Sequence, residues 1–471
     1  MLFLCFNVII KMVVKMEKLN ILNVGDVVTL EIKKLGINGE GIGYHNQLAV
    51  FVPGAITRET VEVEITDVKT GFTLGKVLSI VAPSNKRVTP PCPFYDKCGG
   101  CQLQHVDYSE QLKHKQHLLK QSLKRYTKFD IDKLNIKKTL GMVKNYHYRN
   151  KSQMPFKNTN MGVALGLYEP GSNHFVSINS CLVQDEIVNQ TNEIILKLCK
   201  DKKINAFDTR NKEGILLNLV TRYMESTDEI QVTFIVTEYT DILKQIADKA
   251  MKLISNLKSV HYSINHPKNP LMFGKSVEKI VGNDYINTIF KGRTYRLSPE
   301  AFHQLNTKQM EVLYQEIEKA ADLKGYETVV DCFSGVGMTA IEMALRVKMV
   351  YGIDFAEASI KDAKFNALNN QINNILFIHD RVEKALPQII EKRSKPDLII
   401  FDPPRTGLDS SLIKILLETK IKKMIYVSCN PSTLAKNLND LSEDYQIEYI
   451  QPIDMFPHTA SVESITLLSL K

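Results

Sequence analysis

The 471-residue chain has little that would take it to a membrane or out of the cell. Its N-terminal stretch, Met1 to Met16, is apolar but broken by Lys11 and Lys15, so no run there approaches the roughly 20 apolar residues that span a bilayer. No small-residue cleavage site follows, which argues against a secretory signal. We expect the native start at Met16 or Met12, the leading residues being an over-extended beginning, and a cytoplasmic protein with no membrane partner. Cysteine is scarce: eight residues, irregularly spaced, do not make a disulfide framework and suit a reducing compartment with metal-bound or catalytic thiols. Tryptophan is absent, so ring stacking falls to tyrosine and phenylalanine. Neither sign of charge dominates: 60 Lys and Arg against 52 Asp and Glu give +8, which suits a polyanionic partner without demanding one.

What is present is length enough for two to four domains, and clear periodicity. From Val24 to Val81 short alternating strands are separated by glycine-containing turns: Val27 to Ile32, Ala49 to Val52, Thr60 to Ile65 and Leu74 to Leu78. Even spacing with period two predicts a small barrel. Gly39-Glu40-Gly41-Ile42-Gly43 lies between strands with no helix after it, which is the wrong setting for a dinucleotide loop. A linker at Pro83-Ser84-Asn85 and Pro90-Pro91 leads to Cys92, Cys98 and Cys101, three thiols around a Gly99-Gly100 turn. A closed metal site needs a fourth ligand; Cys181 is the candidate, and spacing alone leaves zinc and iron–sulfur open. His105 reads as a surface or hydrogen-bonded residue rather than a ligand. Tyr108 to Tyr126 reads as an amphipathic helix, and Tyr146-His147-Tyr148-Arg149-Asn150-Lys151 mixes rings and cations in a way suited to stacking bases and holding phosphates. Residues 140 to 290 alternate strands and helices and name no chemistry.

From Tyr326 onward strands and helices alternate: Thr328 to Asp331, Val350 to Asp354, Ile375 to Ile378, Leu398 to Phe401, Met424 to Val427. That rhythm predicts a parallel sheet covered by helices, with its ligand at the carboxyl ends of the strands. Asp331, Gly335, Gly337, Asp354, Asp402 and Cys429 fall at such ends and would share one crevice. Gly335 and Gly337 permit close backbone approach to a nucleoside, and Asp354, roughly 20 residues past Asp331, can accept from ribose hydroxyls. Cys332 reads as packing. Cys429 ends an apolar run just before a helix start at Asn430-Pro431, where backbone N–H groups favour a thiolate.

Phe401-Asp402-Pro403-Pro404-Arg405-Thr406-Gly407, Ser428-Cys429-Asn430-Pro431 and Asp454-Met455-Phe456-Pro457-His458-Thr459-Ala460-Ser461-Val462-Glu463, in that order, resemble the catalytic signatures of bacterial S-adenosylmethionine-dependent RNA 5-methyluridine methyltransferases. The N-terminal strands resemble a TRAM domain, an OB-like RNA-binding barrel, and the cysteine set resembles that family's four-iron four-sulfur site. The resemblance covers nearly the whole chain after Met16. It implies a multidomain α/β protein: an extension over 1–16, a TRAM barrel over 17–84, a central α/β domain with the iron–sulfur cysteines Cys92, Cys98, Cys101 and Cys181 over 85–290, and a Rossmann-like class I methyltransferase domain over 291–471. It also implies S-adenosylmethionine and a 4Fe-4S cluster as cofactors, Cys429 as nucleophile toward uracil carbon 6 and Glu463 as the base that removes the hydrogen on carbon 5. Leu297-Ser298-Pro299-Glu300-Ala301-Phe302-His303-Gln304-Leu305-Asn306 resembles a further family segment, implying Phe302 near the target base and Gln304 near the cofactor; without it Phe302 would read as core. Gln304, Asp331, Gly335, Gly337, Asp354 and Asp402 are thus expected around the cofactor, with Asp402 also able to meet the uracil edge. Arg149, Lys151 and Arg405 are expected on the RNA. The chain departs from the pattern at Ser461, where many relatives carry a second histidine, which puts a supporting hydrogen bond in doubt more than the reaction.

The substrate implied is 23S ribosomal RNA, with transfer RNA as the alternative, and a monomer is the default. N-methylation of an exocyclic amine competes, because Asp-Pro-Pro serves that chemistry, but it would leave Cys429 without a role. A non-catalytic RNA-binding or folding-assisting module is the other rival, and an intact Cys429 with Glu463 argues against it.

Overall fold

Alternation of apolar and polar residues between Val27 and Ala82 builds six strands: β1 (Val27–Glu31), β2 (Lys34–Leu35), β3 (Gly41–His45), β4 (Leu48–Val52), β5 (Thr60–Lys69) and β6 (Phe72–Ala82). They join in the order β1-β5-β6-β4-β3-β2, with Leu30, Val50, Val52, Val61, Val63 and Ile65 in their core. The structure, a computed structural model, describes residues 22–392 and 395–471; the expected extension over 1–16 lies outside them. The glycine stretch has a packing reason. A Cβ on Gly43 would stand 3.1 Å from the Glu31 carbonyl oxygen and 3.2 Å from Leu30 Cβ, so bare glycine lets β3 close on β1.

By contact the described chain divides into two units. The first holds the residues up to Pro91 together with 101–114 and 458–460; the second holds 92–100, 115–457 and 461–471. The helix expected over Tyr108 to Tyr126 forms with those limits and is α1.

In the second unit a seven-stranded mixed sheet comprises β7 (Lys151–Thr159), β8 (Gly162–Tyr168), β9 (Phe175–Ser177), β10 (Leu216–Met224), β11 (Glu229–Val236), β12 (Leu257–Ile264) and β13 (Glu278–Gly282). Helices α2 (Glu186–Asp201) and α3 (Asp241–Leu253) bury their apolar stripes against Leu219, Val232, Phe234 and Val260. The opposite face is polar: Lys151 pairs with Arg222, Arg222 with Gln231 and Gln231 with Ser259 across four neighbouring strands. A hairpin of β14 (Ile286–Phe290) and β15 (Arg293–Leu297) then leads to α4 (Thr307–Ala321).

The last sheet contains β16 (Thr328–Cys332), β17 (Met349–Asp354), β18 (Ile375–His379), β19 (Leu398–Phe401), β20 (Lys423–Ser428), β21 (Tyr445–Ile453) and β22 (Glu463–Leu470). The intervening helices are α5 (Met338–Ala344), α6 (Glu357–Asn369), α7 (Val382–Lys392), α8 (Ser410–Thr419) and α9 (Pro431–Leu441). Its order is β18-β17-β16-β19-β20-β22-β21. The first five strands along it are parallel and β22 alone runs against β20. Strand order reverses between β16 and β19, which opens a crevice at their carboxyl ends. Two apolar clusters lie on the two faces, one around Val329, Ile341 and Ile425, the other around Val330, Leu386 and Tyr426. Among the described residues no helix is long and apolar enough to cross a membrane.

Candidate active site

Because the five parallel strands share a direction, the residues just past their ends meet at one rim: the loop Phe333–Gly337 after β16, Asp354 ending β17, Asp402 after β19 and Cys429 after β20. Strand β22 begins at that rim with Glu463. Ser428 pairs with Ser464 in an antiparallel register, so the next position of the ladder sets Cys429 beside Glu463. The two loops that carry the thiol and Asp402 are tied together. Asn430 Nδ2 and Thr433 Oγ1 donate to the Arg405 carbonyl at 3.0 and 3.2 Å. The Asn437 side-chain oxygen accepts from Tyr426 Oη and from the Leu408 N–H, both at 2.9 Å.

The site concentrates negative charge. Burial, then the neighbouring Asp402, pushes the Glu463 carboxyl up to about 8, with Arg405 pulling the other way. Burial also raises Asp402, although its surface is open to solvent and water in the crevice limits the rise. The Cys429 thiol is raised by burial and by the charges of Glu463 and Asp402, against Arg405. The expected lowering by backbone N–H groups comes only from the N–H of Cys429 itself and is outweighed. Asn430 caps α9 with its own side chain on the Ser432 N–H at 3.0 Å, so that donor is already used, and two carboxylates face the sulfur.

The loop after β16 is held open by backbone conformation. Phe333 (φ 68°), Gly335 (φ 54°) and Gly337 (φ 82°) all sit in the left-handed region, which for a phenylalanine is strained and marks a functional loop. A Cβ on Gly337 would strike the Phe377 ring at 2.6 Å, whereas one on Gly335 would meet nothing within 4 Å. Gly335 therefore faces free space. Asp354 accepts from the Gly335 and Ala356 N–H groups, each at 2.8 Å, so it clamps the loop as well as standing where ribose hydroxyls are expected. Asp331 Oδ2 and Ser334 Oγ are buried with no partner among the described residues. Burial, followed by the charges of Asp402 and Asp354, holds the Asp331 carboxyl well above its ordinary range. Orphaned polar atoms beside an open glycine loop fit a polar nucleoside ligand carrying donors and a positive charge.

Phe302 is 62% exposed, an unusual position for a large ring and unlike the core packing its apolarity alone suggests. It rides on the irregular segment between β15 and α4 together with Gln304, which is buried and whose carbonyl accepts from Asn150 Nδ2 at 3.0 Å. Arg149 Nε donates to the Lys151 carbonyl at 2.9 Å. Burial, then the charges of Arg222 and Arg149, holds the Lys151 amine well below its ordinary range. Sequence reasoning missed the roles of three residues that support this region. Arg222 lies fully buried in β10. Lys115 and Asp454 form an ion pair from which water is wholly excluded. Asp454 opens the motif that ends at Glu463 and Lys115 falls on the apolar stripe of α1, but neither sign pairs them.

The cysteines show a charge relation without a formed centre. Cys98 and Cys181 are raised by burial first, and each also by the Cys92 charge; Cys98 in addition feels Cys181. Backbone N–H groups point at the sulfurs, Gly100 at Cys98 (3.4 Å) and Val183 and Gln184 at Cys181. Such donors suit sulfurs bound to an iron–sulfur cluster. Yet among the described residues no group of three or more His, Cys, Asp or Glu is disposed to hold a metal ion.

The family profile described as tRNA (Uracil-5-)-methyltransferase matches residues 107–471, and the TRAM domain profile matches residues 22–78. The chain belongs to the RNA (uracil-5-)-methyltransferase family. Among its relatives, a protein of Halalkalibacterium halodurans named an uncharacterized RNA methyltransferase is 41% identical over 95% of this chain and 97% of its own. One of Listeria monocytogenes with the same description is also 41% identical, over 95% and 98%. The solved Pyrococcus abyssi tRNA (uracil-54, C5)-methyltransferase, in complex with S-adenosyl-L-homocysteine, is 26% identical and superposes with a TM-score of 0.74, covering 94% of this chain and 100% of that one. The protein is therefore an S-adenosylmethionine-dependent RNA methyltransferase with an N-terminal TRAM domain and a class I methyltransferase fold.

Proposed function

We propose that the enzyme methylates carbon 5 of a uridine in 23S ribosomal RNA through a covalent adduct to Cys429. The observation that carries the reading is the juxtaposition of Cys429 and Glu463 at the end of the β20–β22 ladder, with Asp402 and Arg405 within charge range of both. Carbon 5 of uracil is a poor nucleophile. Addition of the Cys429 sulfur to carbon 6 moves the carbon 5–carbon 6 π pair toward the carbon 4 oxygen and makes carbon 5 nucleophilic. The cofactor supplies an electrophilic methyl group on a sulfonium. After transfer, Glu463 takes the proton from carbon 5, the double bond re-forms and the thiolate leaves. Arg405 offsets the negative charge of the sulfur, and Asp402 meets the cofactor or the uracil edge. Gln304, Asp331, Gly335, Gly337 and Asp354 line the cofactor. Phe302, Arg149 and Lys151 meet RNA whose target base is unstacked, since a stacked base is out of reach.

We carry the divisions 17–84, 85–290 and 291–471 as the functional domains, in a monomer. The four cysteines Cys92, Cys98, Cys101 and Cys181 are assigned to a 4Fe-4S cluster on the resemblance, supported by the nearness of Cys92 to Cys98 and Cys181, both of which feel it, and by the N–H groups aimed at two of the sulfurs. Iron and acid-labile sulfide in anaerobically purified protein, lost in Cys181→Ser, would uphold it; equimolar zinc would replace it.

Transfer RNA is the second reading, favoured by the name of the solved neighbour. The deciding experiment incubates the protein with radiolabelled S-adenosylmethionine and separate ribosomal and transfer RNA lacking 5-methyluridine. Label in ribosomal RNA as 5-methyluridine, absent with Cys429→Ala, supports the proposal. The same product in transfer RNA keeps the chemistry and changes the substrate. No label in either RNA, with RNA still bound, points to a non-catalytic binding module.

A further inference from the structure

Arg222 is the largest fully buried side chain in the structure, and no carboxylate pairs with it among the described residues. It stands in β10 between Lys151 of β7 and Gln231 of β11. Burial lowers its guanidinium only to about 10, so it remains charged at neutral pH. A charge withdrawn from water this completely needs strong acceptors. Both that it finds are backbone carbonyls of one irregular segment: Nη1 donates to Ser298 O at 3.1 Å and Nη2 to Ala301 O at 2.5 Å. The carboxylate whose field it feels, Asp362, is already taken by Arg296 Nε at 2.7 Å and by the Ser298 N–H at 2.8 Å.

That segment, Ser298 to Asn306, carries the exposed Phe302 directly after Ala301. Its two ends have their own anchors. Ser298 is bound to Asp362, while Asn306 caps α4 at 3.1 Å and donates to the Met455 carbonyl at 3.0 Å. The middle has no helix or strand to order it. His303 turns inward, its Nδ1 donating to the Gln304 carbonyl at 2.8 Å, and burial with the Arg222 charge pushes it down to about 4. The imidazole is thus neutral and adds no charge to the segment.

We propose that Arg222 is the positioning residue that fixes the Ser298–Ala301 turn and thereby holds the Phe302 ring outward, toward the target base. The inference rests on the reading of Phe302 as a substrate contact, but the hold itself is a property of the free protein. A planar guanidinium reaches two carbonyls at once; a lysine ammonium keeps the charge and cannot span both.

The absence of tryptophan supplies the probe, since Phe302→Trp introduces the sole indole. Time-resolved anisotropy of that indole is compared in three backgrounds: Arg222 intact, Arg222→Lys and Arg222→Met. Circular dichroism and Tm follow the global fold. Loss of one charged hydrogen bond corresponds to about a tenfold change in loop population. The fast nanosecond component should therefore grow in Arg222→Lys and grow further in Arg222→Met, in protein whose circular dichroism is unchanged. In the Phe302 protein Arg222→Lys should raise KM for RNA about tenfold and leave S-adenosylmethionine affinity unchanged, because the Gln304 carbonyl is held by Asn150 instead. Identical anisotropy decays in all three backgrounds would overturn the proposal. If Arg222→Met does not fold, Arg222→Lys decides, since it keeps the buried charge. RNA that leaves the indole emission unchanged with Arg222 intact would remove Phe302 from the substrate contacts, and the decays would still decide the role of Arg222.

Discussion

At the scale of single residues the site works with groups whose protonation is opposite to their proposed task. Glu463 is raised to about 8 by burial and by Asp402, so near neutral pH it holds a proton that a base must first lose. The single-turnover rate of 5-methyluridine formation should consequently rise from pH 6.5 through about 8 as the carboxylate form fills, and go on rising at higher pH as the raised Cys429 thiol ionises. In Glu463→Gln, which keeps Cys429, only the second rise should remain, in adduct formation. In Glu463→Gln the adduct should persist, seen as an RNA–protein band that survives denaturing electrophoresis. A flat wild-type profile over this range would remove Glu463 as the base. The same shift has a stability consequence of fixed sign. A carboxyl raised in the fold contributes stability that is complete below its unfolded value near 4.5 and is lost as pH rises through about 8. Glu463→Gln has no such loss, so its Tm advantage over wild type should widen between about pH 5 and 8. The identity of these residues was legible because Cys429 and Glu463 stand in spelled-out motifs. The direction of the thiol shift was not, since it depends on Asp402 and Glu463, which only the strand order brings to the sulfur.

At the scale of elements, periodicity located strands and helices well wherever one face is apolar. Helix α1 ends where the pattern ends, and the strands from β16 to β20 fall where the apolar runs were found. Polar interiors were harder to read. Lys115 falls on the apolar stripe of α1, three residues after Leu112 and four before Leu119, which sets it apart from the exposed lysines but does not name its partner. It is wholly buried on Asp454 and also donates to the Phe456 carbonyl at 2.9 Å, fastening the segment that runs toward Glu463. Removing one partner leaves the other charge buried, so Lys115→Met should lose about 3–5 kcal/mol. Adding Asp454→Leu should recover most of that loss in denaturant titrations; no recovery would mean that the pair does not act as a unit. The glycine loop divides in the same way between visible pattern and invisible cause. Gly337→Ala meets both positive φ and the Phe377 ring and should lower stability by about 1–3 kcal/mol. Gly335→Ala meets no neighbour, so beyond its smaller φ cost it should chiefly weaken S-adenosylmethionine binding, read by calorimetry.

At the scale of the whole molecule, a net charge of +8 gave only a weak indication of a polyanion, because the sum does not say which cations lack partners. The fold does. Lys115, Arg87, Arg293 and Arg296 are taken by carboxylates, while Lys151 and Arg149 have no carboxylate paired with them among the described residues. Lys151 stands beside Arg222 and Arg149 in a half-buried place, and burial with those two charges depresses its amine. A phosphate arriving there would favour the charged amine and so raise it again, coupling binding to proton uptake. RNA affinity should then weaken as pH rises, and Lys151→Gln should flatten that dependence. If each of Arg149 and Lys151 neutralises one phosphate, replacing either by glutamine should reduce the slope of log Kd against log salt by about 0.7, the value for a single-stranded contact. Filter binding at several salt concentrations and two pH values separates the two. A lowered salt slope without loss of pH dependence in Lys151→Gln would leave a phosphate contact that binds already charged, and an unchanged slope in both variants would take this segment out of the RNA interface.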